Sequence, residues 1–357
     1  MSTTLPQAPG QAPARGHVRL SVVWGRLHVG RARDLHLLRR VLPPAIGVAA
    51  VLALVLGIDP QQFGRAVEHL RLPLLPAVVA VSLAYYLLQG VRWHQLLRAV
   101  GVPLRLGQSV LINLAGQATA VLPLGELTRA VLVTEATGTA FGAVVATVTV
   151  QELIYTMVLI VFAVPGLLAV PHALPGVVAA LLLTALVFVA MSWCPAYRWL
   201  RAAVSHTPGV RRFLDEVDEL HNDMVLLLRH RDTLLGAWIS ALQAAFIITS
   251  LWLVAAAVDP GALSWRGAAL VFAVSNVAGA LSLIPGGIGA YEASVVGLLV
   301  GLGMNPGTAA AVALLQRLTD KGLATAIGFG SYAVARRRLG LSGLGTLPVR
   351  RPLERAA

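Results

Sequence analysis

Two stretches of this chain, NLAGQATAVLPLGE from Asn113 to Glu126 and NVAGALSLIPGGIGAYE from Asn276 to Glu292, repeat one phrase. Each runs Asn, apolar, Ala, Gly, then an apolar run into Leu/Ile-Pro, Gly and finally a Glu. Proline removes an N–H from the helical ladder and clashes with the preceding turn, so proline with adjacent glycines divides an apolar helix in two. Backbone freed in this way inside a bilayer is tolerated only where protein or a polar cavity surrounds it. The repeated phrase therefore marks a site.

The rest of the chain supplies the bilayer. Of 357 residues, 57% are hydrophobic and 12% charged, against about a quarter charged in an ordinary soluble domain. The expected class is an all-α polytopic integral membrane protein. The formal net charge of +12 does not point to nucleic acid, because the arginines sit beside apolar spans and no soluble domain presents them. Cys194 is the single cysteine and can close neither an internal disulfide nor a thiolate metal cage.

Residues 1–40 read as a disordered to interfacial segment, with Arg15, Arg19, Arg26, Arg31, Arg33, Arg39 and Arg40 against Asp34. Such a cluster belongs against anionic lipid on the cytoplasmic face. The membrane domain covers 41–335, with full spans expected near 41–58, 74–97, 140–164, 174–194, 234–258 and 307–335. The stretches 106–134 and 265–303 hold the repeats, and each reads as a helix pair that turns back at its break. Arg92, Arg98, Arg105, the 195–233 loop and the basic tail 336–357 fall on one side, and Arg65, Arg71 and Arg266 on the other. This asymmetry places both termini in the cytoplasm of a multi-pass cell-membrane protein. The two hairpins then enter from opposite faces, as inverted repeats that build a midplane site. A plain eight-span chain with the same ends also accommodates the charge. In the 195–233 loop, Leu214, Val217, Leu220 and Met224 recur at helical spacing, which predicts an amphipathic helix at the membrane surface or under the bundle. Docking of a cytoplasmic partner there is the second reading, and homo-oligomerisation is left open.

Ionisable side chains inside the apolar segments are the strongest chemical signal. Glu126, Arg129, Glu152, Glu292, Arg317, Asp320 and Lys321 all fall there, each costing roughly 2.5–3.5 kcal/mol at a helix centre. Lys321 is about 20 Å of helix from the Arg336 cluster, beyond the reach of snorkelling. Arg317, Asp320 and Lys321 share a helical face, so a structural clasp among them competes with a binding role. Glu126 follows Pro123 and Gly125 in a first turn, where the dipole favours a carboxylate whatever the protein does. Asn113 and Asn276 suit hydrogen bonds between helices. The run Pro285, Gly286, Gly287, Ile288, Gly289 has more glycines than a turn needs, and the excess favours open backbone N–H groups for an anion. With Arg129 and Arg317 beside the breaks, the arrangement suits a phosphate. The carboxylates are left to receive a cationic group, carry protons or neutralise the arginines.

These residues also carry a family likeness. The pattern P-x-G-E-x-x-R at Pro123 to Arg129, the run from Pro285 to Glu292, and Arg317 in LLQRLTDKG resemble, in order and spacing, the membrane region of lysylphosphatidylglycerol synthases and their stand-alone flippase-like relatives. The likeness covers about residues 41–335. It implies a bundle with two re-entrant helix pairs and a role in moving a polar or isoprenoid-linked lipid between leaflets, with Pro123, Glu126, Arg129, Gly287, Glu292 and Arg317 as site residues. Relatives often carry Glu-Arg-x-x-Asp after the first hairpin, whereas here Leu153 and Thr156 follow Glu152. The soluble aminoacyl-transferring domain of the synthases is not expected, so the chain should not make lysyl-lipid itself.

The leading expectation is therefore translocation of an anionic polar lipid or a polyprenyl-phosphate-linked glycan lipid, its headgroup between the repeats. An ion-coupled transporter of a small polar solute would use the same broken helices but a route closed to lipid. An enzyme is disfavoured: no histidine lies deep in a span, and no HExxH or His/Asp cluster could hold a catalytic metal. No cofactor is called for.

Overall fold

The computed structural model describes residues 70–120, 125–167, 194–204, 214–229, 236–282 and 285–341, with isolated positions at 64, 68, 178, 182 and 186. The expected spans 41–58 and 174–194, the N-terminal arginines, Pro123 and most of the basic tail lie outside the described residues. All the described residues belong to one unit, 46–357, and among them every regular element is helical.

Chain order gives two similar sets. The first is α1 (Leu75–Ala99), α2 (Leu106–Gly116) ending in a 3-10 turn (Gln117–Thr119), then a 3-10 turn (Gly125–Leu127) leading into α3 (Thr128–Thr137), and α4 (Phe141–Leu167). Two connecting helices follow, α5 (Cys194–Val204) and α6 (Leu214–Arg229). The second set is α7 (Ala237–Val258), α8 (Trp265–Leu281), a 3-10 turn (Pro285–Gly287), α9 (Ala290–Gly301), and α10 (Pro306–Arg317) continuing through a π turn (Leu318–Gly322) into α11 (Leu323–Leu339).

Among the described residues, three helices, Leu72–Ala99, Phe141–Leu167 and Ala237–Val258, are long and apolar enough to cross a membrane. They match the expected spans near 74–97, 140–164 and 234–258. The expected span 307–335 is also continuous helix, but its three central charges set it apart from the apolar class. The helices flanking the breaks are all shorter than the ~20 residues a crossing requires.

In α1 the buried face runs Val78, Ser82, Tyr85, Tyr86, Gln89, Arg92, Trp93 and Leu96, an i, i+3/i+4 stripe that is largely polar. The apolar side chains Leu87, Met157, Val161, Leu242 and Phe329 face outward. This is the inverse of a soluble helix, and it follows from lipid being the outer solvent: polar groups must find their partners inside.

The packing of the two sets matches under exchange. α1 packs on α7, α2 packs on α11 while α8 packs on α4, and α1 touches α4 as α7 touches α10. The Ser82 and Ser250 hydroxyls meet at 3.0 Å where α1 crosses α7. Close approach in the exchanged pairs depends on glycine: a Cβ on Gly328 would lie 2.2 Å from the Ala118 nitrogen, and one on Gly166 2.5 Å from the Arg266 carbonyl.

The predicted amphipathic helix is α6, and it lies against α4, where Met224 and Leu227 bury among Leu96, Ala146, Val150 and Ile154. Sequence periodicity missed α5. The two are clasped by Asp218, which accepts from Arg201 Nε and from the Tyr197 hydroxyl, both at 2.7 Å. The Tyr197 ring stacks on His221 at 3.7 Å.

Candidate functional site

The first break is organised by Arg129. Its position in the first turn of α3 points the guanidinium back into the bundle, where it donates to Asn113 Oδ1 at 2.9 Å, Gln151 Oε1 at 3.2 Å and Glu152 Oε1 at 2.9 Å. Glu126 approaches to 3.8 Å, and the Trp93 ring lies 5.2 Å beneath the cation. Gln89 Oε1 accepts from both Asn113 and Gln117 at 3.1 Å, while the Gln89 carbonyl accepts from Gln151 at 2.9 Å. Trp93 donates to Thr147 at 2.9 Å. One charge therefore ties α1, α2, α3 and α4 together, in line with the rule that a buried charge is paired and hydrogen-bonded.

The chain can fold so tightly here only because of Gly125. A Cβ at that position would stand 1.6 Å from the Thr119 carbonyl. Thr119 closes the turn by donating to the Gly116 and Gly125 carbonyls and meeting the Thr128 hydroxyl at 2.7 Å.

The second break is organised by Glu292. From the first turn of α9 it accepts from the Gly289 N–H at 2.6 Å and pairs with Arg317 Nε at 3.0 Å. Arg317 also donates to the Gly286 carbonyl and lies 5.3 Å over the Tyr291 ring. Gly286, Gly287 and Gly289 all take positive φ, at 63°, 65° and 89°. Gly287 also sits against α8, where a Cβ would meet Gly279 Cα at 2.9 Å. The conformation that glycine permits and the close approach expected at Gly287 are both present.

The π turn joins the two breaks. Arg317 precedes it and serves the second. Asp320 within it is buried and accepts from the hydroxyl of Tyr86 on α1, and the Tyr86 main-chain carbonyl accepts from Asn113 of the first at 3.3 Å. π turns are rare and concentrate at functional positions.

Several expectations are corrected. Arg317, Asp320 and Lys321 form no clasp, because the π turn shifts their register: Arg317 pairs with Glu292 and Asp320 accepts from Tyr86. The donors of the Gly-rich segment are not all open to an anion: Glu292 takes the Gly289 N–H. Arg129 is not an available cation, since its side chain is 1% exposed beneath acceptors, whereas Glu126 and Glu152 are 38% and 40% exposed. Asn113 makes the cross-helix bonds expected of it. Asn276 is half-buried on α8 and bonds to no described residue. Tyr86, Gln89, Trp93, Gln117, Gln151 and Tyr291 belong to the site and were missed. Tyr86, Gln89 and Trp93 lie at i, i+3 and i+7 in a membrane span, a spacing that signals a polar face even without charge.

The chain matches the model of the lysylphosphatidylglycerol synthase transmembrane region over residues 40–328. It belongs to that family. The match takes in both breaks, α4 and the π turn. No curated protein matches the chain.

Proposed function

We propose that this protein moves a polar lipid between the leaflets of the cell membrane, holding the headgroup between the two breaks while the tails stay in lipid. The observation that carries the reading is the pair of broken helices whose buried acid–arginine contacts meet through one π turn. A scaffold built only for stability gains little from ion pairs in an apolar interior, where replacement by well-packed apolar residues is often neutral or better. Family membership supports a lipid as cargo. Packing that matches under exchange of α1–α4 with α7–α11 supports inverted repeats, and helices too short to cross support hairpins that re-enter. The arginine asymmetry of the sequence supports cytoplasmic termini.

The headgroup that fits carries both a phosphate and hydroxyl groups, as glycerol or glycan phospholipids do. Glu126 and Glu152 are the accessible polar side chains of the first break, and carboxylates accept from hydroxyls. The Arg129 contact with Glu126 is the loosest of its set at 3.8 Å. When Glu126 turns to the headgroup, that N–H becomes the one a phosphate oxygen can take. On this reading the protein is a carrier, and no bond is made or broken.

The test is leaflet exchange of fluorescent phosphatidylglycerol in vesicles containing the purified protein. Exchange above protein-free vesicles, lost in Glu126→Gln with Glu152→Gln while the protein still folds, is expected. Full exchange in the double variant rejects the site, and absence of exchange for any anionic lipid in the wild type rejects the function.

A further inference from the structure

The helix that sequence periodicity missed has two unlike sides. Pro195, Arg198, Trp199 and Ala202 of α5 are exposed, and their spacing of i, i+3, i+4 and i+7 puts them on one side of the helix. The other side carries Tyr197 and Arg201, both held by Asp218 of α6. Trp199 is 75% exposed, more than any other large apolar side chain among the described residues. A single apolar residue at a surface is ordinary in itself. The level at which this one stands gives it meaning.

That level follows from the packing of α6. Met224 and Leu227 bury among Leu96, Ala146, Val150 and Ile154, with Ala99, Val100 and Ala237 packed alongside. These contacts gather the end of α1, the first half of α4 and the start of α7, so α6 lies where three spans meet one face of the membrane. Trp238, in the first turn of α7 beside Ala237, is 62% exposed, and a tryptophan at the end of a span marks the headgroup zone. Asp218 precedes Met224 by about 9 Å of helix. The clasp therefore holds α5 within reach of that zone.

We propose that the face of α5 bearing Arg198 and Trp199 docks on the anionic headgroups of the adjoining leaflet. The guanidinium complements lipid phosphate in charge and in its forked geometry, and the indole seats at the boundary between headgroup and acyl chain. One side of an 11-residue helix falls well short of the ~800 Å² per partner that a stable protein complex buries, whereas a leaflet is met residue by residue. Docking also reaches the first break, because α6 packs on α4 at Leu153 and Ile154, the residues that follow Glu152. The charge of the leaflet is thereby linked to α4 through two helices. The proposal rests neither on the identity of the cargo nor on which face is cytoplasmic.

The test is hydrogen exchange on the full chain in nanodiscs of phosphatidylcholine alone and of phosphatidylcholine mixed with phosphatidylglycerol. Protection across residues 197–204 should be about fivefold higher with the anionic lipid, since one arginine near such a surface contributes ~1 kcal/mol. The gain should disappear in Arg198→Gln, and Trp199→Ser should lower protection in both lipids. Both side chains are exposed, so the variants should fold as the wild type does, with unchanged exchange in α1 and α7 as the check. Equal protection in the two lipids overturns the proposal, as does a gain that survives in Arg198→Gln or protection unmoved in Trp199→Ser. Inorganic phosphate raising protection in phosphatidylcholine alone would make the ligand a free anion, and a gain that requires added cell extract would make it a soluble partner. Either result overturns docking on the leaflet.

Discussion

The two breaks are built from one phrase and hold their charges in opposite order. In the first, the base stands on the half-helix and the acid on the following span, Arg129 on α3 and Glu152 on α4. In the second, the acid stands on the half-helix and the base on the span, Glu292 on α9 and Arg317 on α10. Exposure is exchanged along with position: the first buries its arginine and offers two carboxylates, while the second buries its carboxylate, with Arg317 17% exposed. On the proposed reading, a headgroup between the breaks would meet acids from the first and a cation with backbone from the second. A headgroup carrying both hydroxyls and phosphate can use such a site where a bare anion meets repulsion first.

The sharpest way to break this comparison is to remove the buried member of each pair. Arg129→Gln strands Glu152 and unties four helices, and should cost about 3–5 kcal/mol, the range for breaking a buried ion pair. Glu292→Gln should cost a similar amount by leaving Arg317 uncompensated. Replacing the accessible members is different: Glu126→Gln should cost below about 1 kcal/mol, as exposed pairs do, yet slow lipid exchange. Denaturation of the purified variants beside vesicle exchange separates the two. Equal destabilisation by Arg129→Gln and Glu126→Gln would show that the first break has no accessible and buried sides.

A smaller effect compares the turns. Gly287→Val adds a β-branched side chain at positive φ and against Gly279 Cα, and should cost about 1–3 kcal/mol with loss of exchange. Ile288→Val deletes one methylene and should cost about 1 kcal/mol or less with exchange retained. A cysteine at the exposed Pro306 should label from outside and cysteines in the 195–233 loop from inside. Labelling of the loop from outside alone would overturn the orientation.

Much of this was legible in the chain because membrane burial makes polar residues conspicuous. Seven charges in apolar segments named the breaks, and proline with glycine placed the irregular backbone within a few residues. What escaped was pairing. Spacing put Arg317, Asp320 and Lys321 on one face, since an ideal helix places i, i+3 and i+4 together, and no residue in LTDKG announces a π turn. The neutral polar side chains of α1 escaped because Tyr, Gln and Trp are tolerated in many spans, and only their common face shows their purpose. Arg129 was read as available because depth in a bilayer and depth in the protein are different quantities, and sequence reports only the first.

The smallest effect lies away from both breaks, where α5 and α6 meet through Asp218. Arg201 first, and then Tyr197, hold its carboxyl below the usual carboxylate range by hydrogen bonds. A lowered pKa in the folded state stabilises above the unfolded value of about 3.9 and is lost as pH falls through the folded value. Burial, then the bond to Asp218, pushes the Tyr197 hydroxyl up, so its donated bond holds at neutral pH and is lost only as pH rises past the usual tyrosine range. The clasp should therefore be intact at neutral pH and loosen in acid. Hydrogen exchange across residues 197–204 and 214–224 should show protection falling with acid in the wild type, while Asp218→Asn should start lower and respond little. Parallel loss of protection in both chains would assign the acid response to the bundle and leave α5 and α6 joined by packing alone.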